Sequence, residues 1–384
     1  MRIGIDIRST LKKTNTGIGR YTFNLINALW ESGSHSDYYL YSQKRLFDFK
    51  RHLPRLPGRN FRHCVDYFKK GPDRVLPELD IFHTSSYDLS RPRKAARFIV
   101  TVHDVIIRAY PYSHSEKTIR EIDGQFKRVL SEADLLIADT CNTKADLMKF
   151  YSVPDPKVCV IYPGAAERNF APTCHCEEAE GRRSNPYILF VGTLEPRKNI
   201  QGLIKAFNWL KKEHGLKHKL VIAGMKGWLY DDIFREYENS EFKSDIIFKG
   251  YVSDEMLAQL YKNALVFAYP SFYEGFGFPI VEAFSFGIPV VTSKTSSCGE
   301  IGADAALLIN PENYKEIGEA ILKIINDGNL REDLIRKGLE RAKVFTWHKT
   351  AAEFLNLFKD MHLTLHSNIV KVSSLSGGGT KRRV

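Results

Sequence analysis

The sequence lacks the marks of several protein classes. None of its apolar runs approaches the roughly 18 residues that a membrane-crossing helix needs; ALVFAYP, residues 264–270, is among the longest. The opening MRIGIDIRS alternates apolar and polar residues like a strand and has no continuous apolar core followed by a small-residue cleavage site, so neither export nor membrane insertion is expected. The six cysteines, at 64, 141, 159, 174, 176 and 298, form no pairing framework, which fits a reducing cytoplasm. Cys174-His175-Cys176 is a local cluster, but no second ligand pair follows at zinc-site spacing. An Asp-x-Asp pair is absent throughout, as is any recognised nucleic-acid-binding motif.

What is present is a chain of 384 residues, long enough for two domains of ordinary size, with a net charge of +11. Such a charge implies acidic partners: nucleic acid, anionic lipid or a phosphorylated small ligand. Between Lys44 and Arg74 ten Lys/Arg stand against three Asp, with aromatics and leucines interleaved. That segment reads either as a solvated basic face or as a membrane-surface contact.

Short apolar strands alternate with helical periodicity along the whole chain, the pattern of α/β architecture with parallel sheets. The first part offers RIGIDIR, DIFHTS, RFIVTVHD, LLIADT and VCVIYPG; the second offers YILFVGT, KLVIAG, IIFKGYV, LVFAYP and PVVTS. Residues 169–186, polar and without periodicity, read as a linker between domains 1–168 and 187–345. Both halves open alike. RIGIDIR leads through TGIGRY to a helix with Phe23, Leu25, Ile26, Leu29 and Trp30 apolar, and YILFVGT leads through LEPRKN to one with Ile200, Leu203, Ile204, Phe207 and Leu210. Each half therefore predicts a Rossmann-like unit with a ligand loop after its first strand. Thr22 stands where a dinucleotide fingerprint wants its third glycine, so TGIGRY is a poor NAD motif.

The stretch PSFYEGFGFPIVEAFSFGIPVV, Pro270 to Val291, predicts a strand, a glycine-bearing turn and a helix of about two turns. Gly275 and Gly277 then lie at a helix N-terminus, where free amides favour an anion. Glu282 and Glu274 would flank a bound diphosphate and accept hydrogen bonds from sugar hydroxyls at its two ends, a spacing that suits a nucleotide sugar. The alternative is that the glycines serve helix packing and the glutamates the helix dipole. In GTLEPRKN, Arg197 and Lys198 are adjacent cations at a helix start, unfavourable there unless an anion is bound. RFIVTVHDV delivers His103 and Asp104 to a strand's C-terminal end, either as a satisfied polar couple or as polar groups at a reacting sugar.

TGIGRY, TVHDV, ADTCNTKADL, VGTLEPRKN, FKGYVSDEML and EGFGFPIVEAFSFGIPVV together resemble the retaining glycosyltransferases of family 4, in the order that family shows and across roughly residues 1–360. The resemblance implies the GT-B fold, two Rossmann-like domains facing across a cleft with the last helix, 346–365, returning to the N-terminal domain. It implies that Glu274 contacts the donor hexose and Glu282 the ribose, and that Arg197 and Lys198 clamp the diphosphate with backbone around Phe276, Gly277 and Phe278. It places Gly17 and Gly19 toward the phosphate and acceptor, His103 at the anomeric centre, Thr140 along the cleft, and Tyr251 and Val252 near the nucleobase. The loop before Gly17, LKKTNTG, departs from the family's longer glycine-rich segment.

The expected activity is hexosyl transfer with retained configuration, without a metal or other cofactor, from a nucleotide sugar to a lipid-linked or oligosaccharide acceptor in cell-surface polysaccharide synthesis. Similarity to mannosyltransferases of the family points to GDP-mannose. A UDP-glucose-type donor, a GT-B epimerase or phosphorylase, and a non-catalytic lipid- or nucleic-acid-binding protein are the alternatives, nucleic acid having only the charge in its favour. The expected place is the cytoplasm, on the inner face of the membrane through segment 44–74, and residues 366–384 read as a flexible tail.

Overall fold

The apolar runs become parallel strands buried on both faces. In β5 (Ala95–Val102) the residues Phe98, Ile99, Val100, Thr101 and Val102 are all buried, as strands covered by helices on each side must be. The computed structural model describes residues 1–11, 17–44, 53–113, 116–165 and 186–375, with side chains through residue 363. The first sheet holds β1 (Arg2–Asp6), β2 (Asp37–Gln43), β3 (Phe61–Asp66), β4 (Leu79–Thr84), β5, β6 (Leu135–Ala138) and β7 (Val158–Val160), in the order β3-β2-β1-β4-β5-β6-β7. The second holds β8 (Tyr187–Val191), β9 (Lys219–Ala223), β10 (Ile246–Gly250), β11 (Ala264–Tyr269), β12 (Val290–Ser293) and β13 (Ala306–Ile309), in the order β10-β9-β8-β11-β12-β13. Every pairing is parallel, and each sheet reverses direction beside its first strand, at β1/β4 and at β8/β11. Crevices open at the carboxyl ends of strands at such reversals, so topology alone selects the loops after β8 and β11.

Three strands fall outside the ten apolar runs read from the sequence. β3 is an edge strand carrying Arg62, His63 and Asp66 within the basic segment, β2 is largely tyrosine and polar residues, and β13 is four residues long. The helix Gly17–Glu31 also turns differently from its apolar reading. Leu25, Ile26 and Leu29 are buried with Tyr21, Thr22 and Ala28, while Phe23 and Trp30 flank that face and are partly exposed. The helix Ile200–His214 buries the predicted five, capped by Asn199 accepting from the Gly202 amide and closed by Gly215 in the left-handed region.

The cysteine pair at 174 and 176 and all of the linker but Pro186 lie outside the described residues. On either side of that gap the chain crosses itself. Ala165 N donates to Phe345 O at 3.0 Å, Thr350 Oγ1 donates to Tyr162 O at 2.8 Å, and a Cβ at Gly164 would sit 2.3 Å from Trp347 N. From this crossing the helix Trp347–Leu375 runs onto the first unit, where Trp347, Ala351, Phe354 and Phe358 join Ile3, Ile5, Leu25 and Ile81 in one core. It continues ten residues past 365, so 366–375 is helical rather than tail; the chain meets no glycine until Gly377, and 376–384 lie outside the described residues.

Phe354 is fully buried and meets His83 edge-on at 5.2 Å. Phe354→Ala should therefore destabilise the first unit by about 3–5 kcal/mol, measured as a lower urea midpoint with tryptophan fluorescence.

Candidate active site

The loops after β8 and β11 meet at the reversal, and their charges pair. After β8 a short 3-10 turn, Pro196–Lys198, carries both cations, and Phe272 N donates to Arg197 O at 2.8 Å to lock the two loops together. Arg197 Nη1 donates to Glu274 Oε2 at 2.6 Å and to Tyr273 O at 2.8 Å, and Lys198 Nζ donates to Glu274 Oε1 at 2.6 Å and to Tyr269 Oη at 2.5 Å. Arg197 Nη2 bonds Glu195. The anion that these adjacent cations require is thus supplied by the protein's own Glu195 and Glu274, both buried. Burial alone would raise the Glu274 pKa; the charges of Arg197 and Lys198 and the hydrogen bonds they donate overcome it and hold the carboxyl at about 2. For Lys198 burial dominates, with Arg197 adding to it, and its pKa is lowered.

Gly277, at φ 102°, starts the helix Phe278–Ser285, which has no side-chain cap. Phe276 turns inward against Phe278 and Phe345. Glu282 is half-buried and accepts from Tyr261 Oη at 2.9 Å. Tyr251 and Val252 follow β10 at the sheet edge, Tyr251 being 72% exposed. The Glu282 carboxylate thus bonds Tyr261, whereas that of Glu274 bonds Arg197 and Lys198.

The first domain approaches the cluster at Gly275. A Cβ there would fall 2.2 Å from His103 O, so glycine is required by the contact between domains. Thr140 caps the helix Cys141–Tyr151 by accepting from Thr143 N, and its hydroxyl donates to Gly275 O at 3.1 Å. The partner of His103 is Asp139, not Asp104. Nδ1 of His103 lies 2.7 Å from Asp139 Oδ2, whereas Asp104 accepts from the Ile106 amide. His103 follows the end of β5 and Asp139 the end of β6, neighbours in the sheet, which brings the two side chains together. Burial pulls the His103 pKa down, but the Asp139 charge outweighs it and the pKa is raised; Nε2 is buried without a hydrogen-bond partner among the described residues. Gly17 and Gly19 begin the helix whose Tyr21 ring stands edge-on to His103 at 4.6 Å, and the preceding residues 12–16 lie outside the described residues.

Two family profiles match successive halves of this arrangement: Glycosyltransferase Family 4 over residues 15–167 and Glycosyl transferases group 1 over residues 177–341. The chain belongs to the family 4 glycosyltransferases. It is 29% identical over 386 residues to the O-antigen chain mannosyltransferase B of Escherichia coli, covering 91% of this chain and 97% of that one. It is 27% identical to the O-antigen chain mannosyltransferase RfbU of Salmonella typhimurium over 59% of this chain and 60% of that one. Among solved structures, a sucrose-phosphate synthase from Thermosynechococcus elongatus superposes with a TM-score of 0.72 at 19% identity, over 94% of this chain and 99% of that one, a likeness of fold. The fold is GT-B, two Rossmann-like domains with a cleft between them.

In this glycosyltransferase several residues that shape the site carried no motif of their own. Glu195 lies inside the LEPRKN loop beside the cations, a visible signal; Tyr269, Tyr261 and Asp139 act on partners in separate elements and are invisible to spacing. A ladder of hydroxyls sets the Glu274 loop: Thr292 donates to Tyr269 O, Ser293 to Ser271 O and Ser297 to Glu274 O, and Glu274 N donates to Ser296. Among the described residues no three His, Cys, Asp or Glu side chains converge as a metal-binding set.

Glu274→Gln would leave Arg197 and Lys198 buried with Glu195 alone, and breaking a buried pair in this way costs about 3–5 kcal/mol. Because the folded pKa lies below the ordinary 4.5, the carboxylate's contribution is complete above about pH 4.5 and fades as pH falls toward 2. Urea unfolding should show the full gap between wild type and variant at pH 7 and a narrower one at pH 3.

Proposed function

We propose that this glycosyltransferase moves mannose from GDP-mannose, with retention, onto a lipid-linked saccharide during cell-surface polysaccharide synthesis. The observation that carries the reading is the buried Arg197–Lys198–Glu274 cluster at the β8/β11 reversal, facing His103 across a contact only glycine permits. Mannose is supported by the O-antigen mannosyltransferase that aligns over nearly its whole length. The cluster is neutral as it stands, two cations against Glu195 and Glu274, so an arriving diphosphate competes for cations already in place. Arg197 Nε, buried and unpartnered among the described residues, offers it a further donor, as does the uncapped helix start at Phe278. Glu274, relieved of part of its ion pairing, turns to the hexose hydroxyls, while Glu282, held by Tyr261, takes the ribose and Tyr251 and Val252 border the base.

As the bond from the anomeric carbon to the phosphate oxygen breaks, charge gathers on that oxygen, where Arg197 and Lys198 stabilise it electrostatically and no metal is required. The acceptor hydroxyl adds to the same face and passes its proton to the departing phosphate. Glu274, engaged with the hexose hydroxyls, lies off the line of attack, which favours this front-face course over a double displacement. His103, held through Nδ1 by Asp139, presents its buried Nε2 to a sugar hydroxyl. Thr140, Gly17 and Gly19 border the acceptor side.

Docking on an anionic cytoplasmic leaflet is supported by the described part of the basic segment; residues 45–52 lie outside the described residues. After β3 the carboxylate of Asp66 accepts from the amides of Phe68, Lys70 and Gly71, folding a tight turn that leaves Phe68 71% exposed between Tyr67 and two lysines. An aromatic tip ringed by lysines suits a lipid interface. No helix among the described residues is long and apolar enough to cross a membrane.

In a thermal-shift panel GDP-mannose should raise Tm more than UDP-glucose and equally with EDTA present, a ligand at ~1,000 times its Kd contributing about 4 kcal/mol. A larger shift with UDP-glucose would reassign the donor. In vesicle flotation wild type should bind anionic over neutral liposomes and Phe68→Ala with Lys70→Glu should lose that preference; equal binding to both vesicles would remove the docking reading.

A further inference from the structure

One carboxylate of the second domain is engaged almost wholly with the first. Glu300 lies in the short helix Ser296–Gly302, yet its Oε1 accepts from Cys141 N at 2.8 Å and from Tyr162 Oη at 2.7 Å, and its Oε2 accepts from Asn142 N at 2.9 Å. Those amides open the helix Cys141–Tyr151, whose own cap, Thr140, satisfies only Thr143 N. A carboxylate from across the cleft therefore completes the cap. Glu300 is held in place from behind, since the Arg341 guanidinium donates to Glu300 O at 2.7 Å and Ile301 O at 3.2 Å.

Residues 139–141 carry three connections in succession. Asp139 holds His103 Nδ1, Thr140 donates to Gly275 O next to Glu274, and Cys141 donates to Glu300. Fixing the start of the helix thus fixes the His103–Asp139 pair against the Glu274 loop. When the domains part, Glu300 and the two amides both return to water, so the contact exists only in the closed arrangement and biases the protein toward it.

We infer that Glu300 is a positioning residue: by capping the Cys141–Tyr151 helix it closes the cleft and seats the His103–Asp139 pair over the donor site. This rests on His103 lying at the reacting sugar, as proposed above. Small-angle scattering of the full chain without donor reads closure independently of donor identity. Glu300→Ala should expand the particle and lower kcat roughly tenfold, the loss that about 1.4 kcal/mol of added barrier gives. Its Kd for GDP-mannose should rise by less than kcat falls, because Arg197, Lys198, Glu274 and Glu282 all belong to the second domain and only the His103 side of the donor site is withdrawn. Tyr162→Phe, which removes one of the three hydrogen bonds, should move both readouts the same way by less, and it carries the test if Glu300→Ala does not fold. A purely structural role would lower Tm and leave kcat unchanged well below the melting range. Wild-type scattering in the variants, or a loss of kcat without expansion, overturns the inference. Expansion on Glu300→Ala in a protein whose wild type does not turn over GDP-mannose would count against the donor assignment and not against the latch.

Discussion

Two cations and two carboxylates, buried together where the chain reverses between β8 and β11, are the constraint on which the second domain's geometry rests. None of these charges is tolerable alone at that depth, and together they are neutral and hydrogen-bonded. Their mutual satisfaction determines where the Pro196–Lys198 turn lies against the loop after β11. Tyr269 and the serine and threonine ladder then fix the Glu274 loop against that turn. Preorganisation of this kind means that a diphosphate meets oriented cations and does not have to order them.

Closure between the domains is a separate matter, governed by shape and by backbone groups. Gly275 admits the His103 carbonyl, Tyr273 Oη donates to Asp146 at 2.9 Å, and the Tyr110 and Phe272 rings stack at 5.9 Å across the cleft. Glu300 adds the charged element. At Gly164 and Trp347 the chain crosses itself, and beyond that crossing the last helix packs on the first core.

The double use of one site by ion pairs and by a ligand reconciles two readings of the same residues. Adjacent cations at a helix start demand an anion, and the resting protein provides carboxylates where the proposed donor would bring phosphate. Glycine at 275 likewise serves packing between domains, while Gly277, in its left-handed conformation, serves the turn into an uncapped helix. A motif can therefore be structural at rest and chemical when occupied.

Much of this was legible in the residues themselves. Apolar runs of strand length and helices with 3.6-residue stripes determined two parallel α/β units, and the Glu-x7-Glu segment with its Arg-Lys loop named Glu274, Arg197 and Lys198, which meet at the β8/β11 reversal, because those signals are local and periodic. Strand β2, rich in tyrosine and polar residues, and edge strand β3 beside it carried too little apolar pattern to be read. Partners from separate elements were decided only by the tertiary structure: Asp139 in place of Asp104 for His103, Tyr261 for Glu282, Tyr269 for Lys198, Glu300 on the Cys141–Tyr151 helix. Hydrogen bonds act over about 3 Å in space whatever the separation along the chain, so a sequence names the charged groups while the packing of sheets and domains chooses which of them meet.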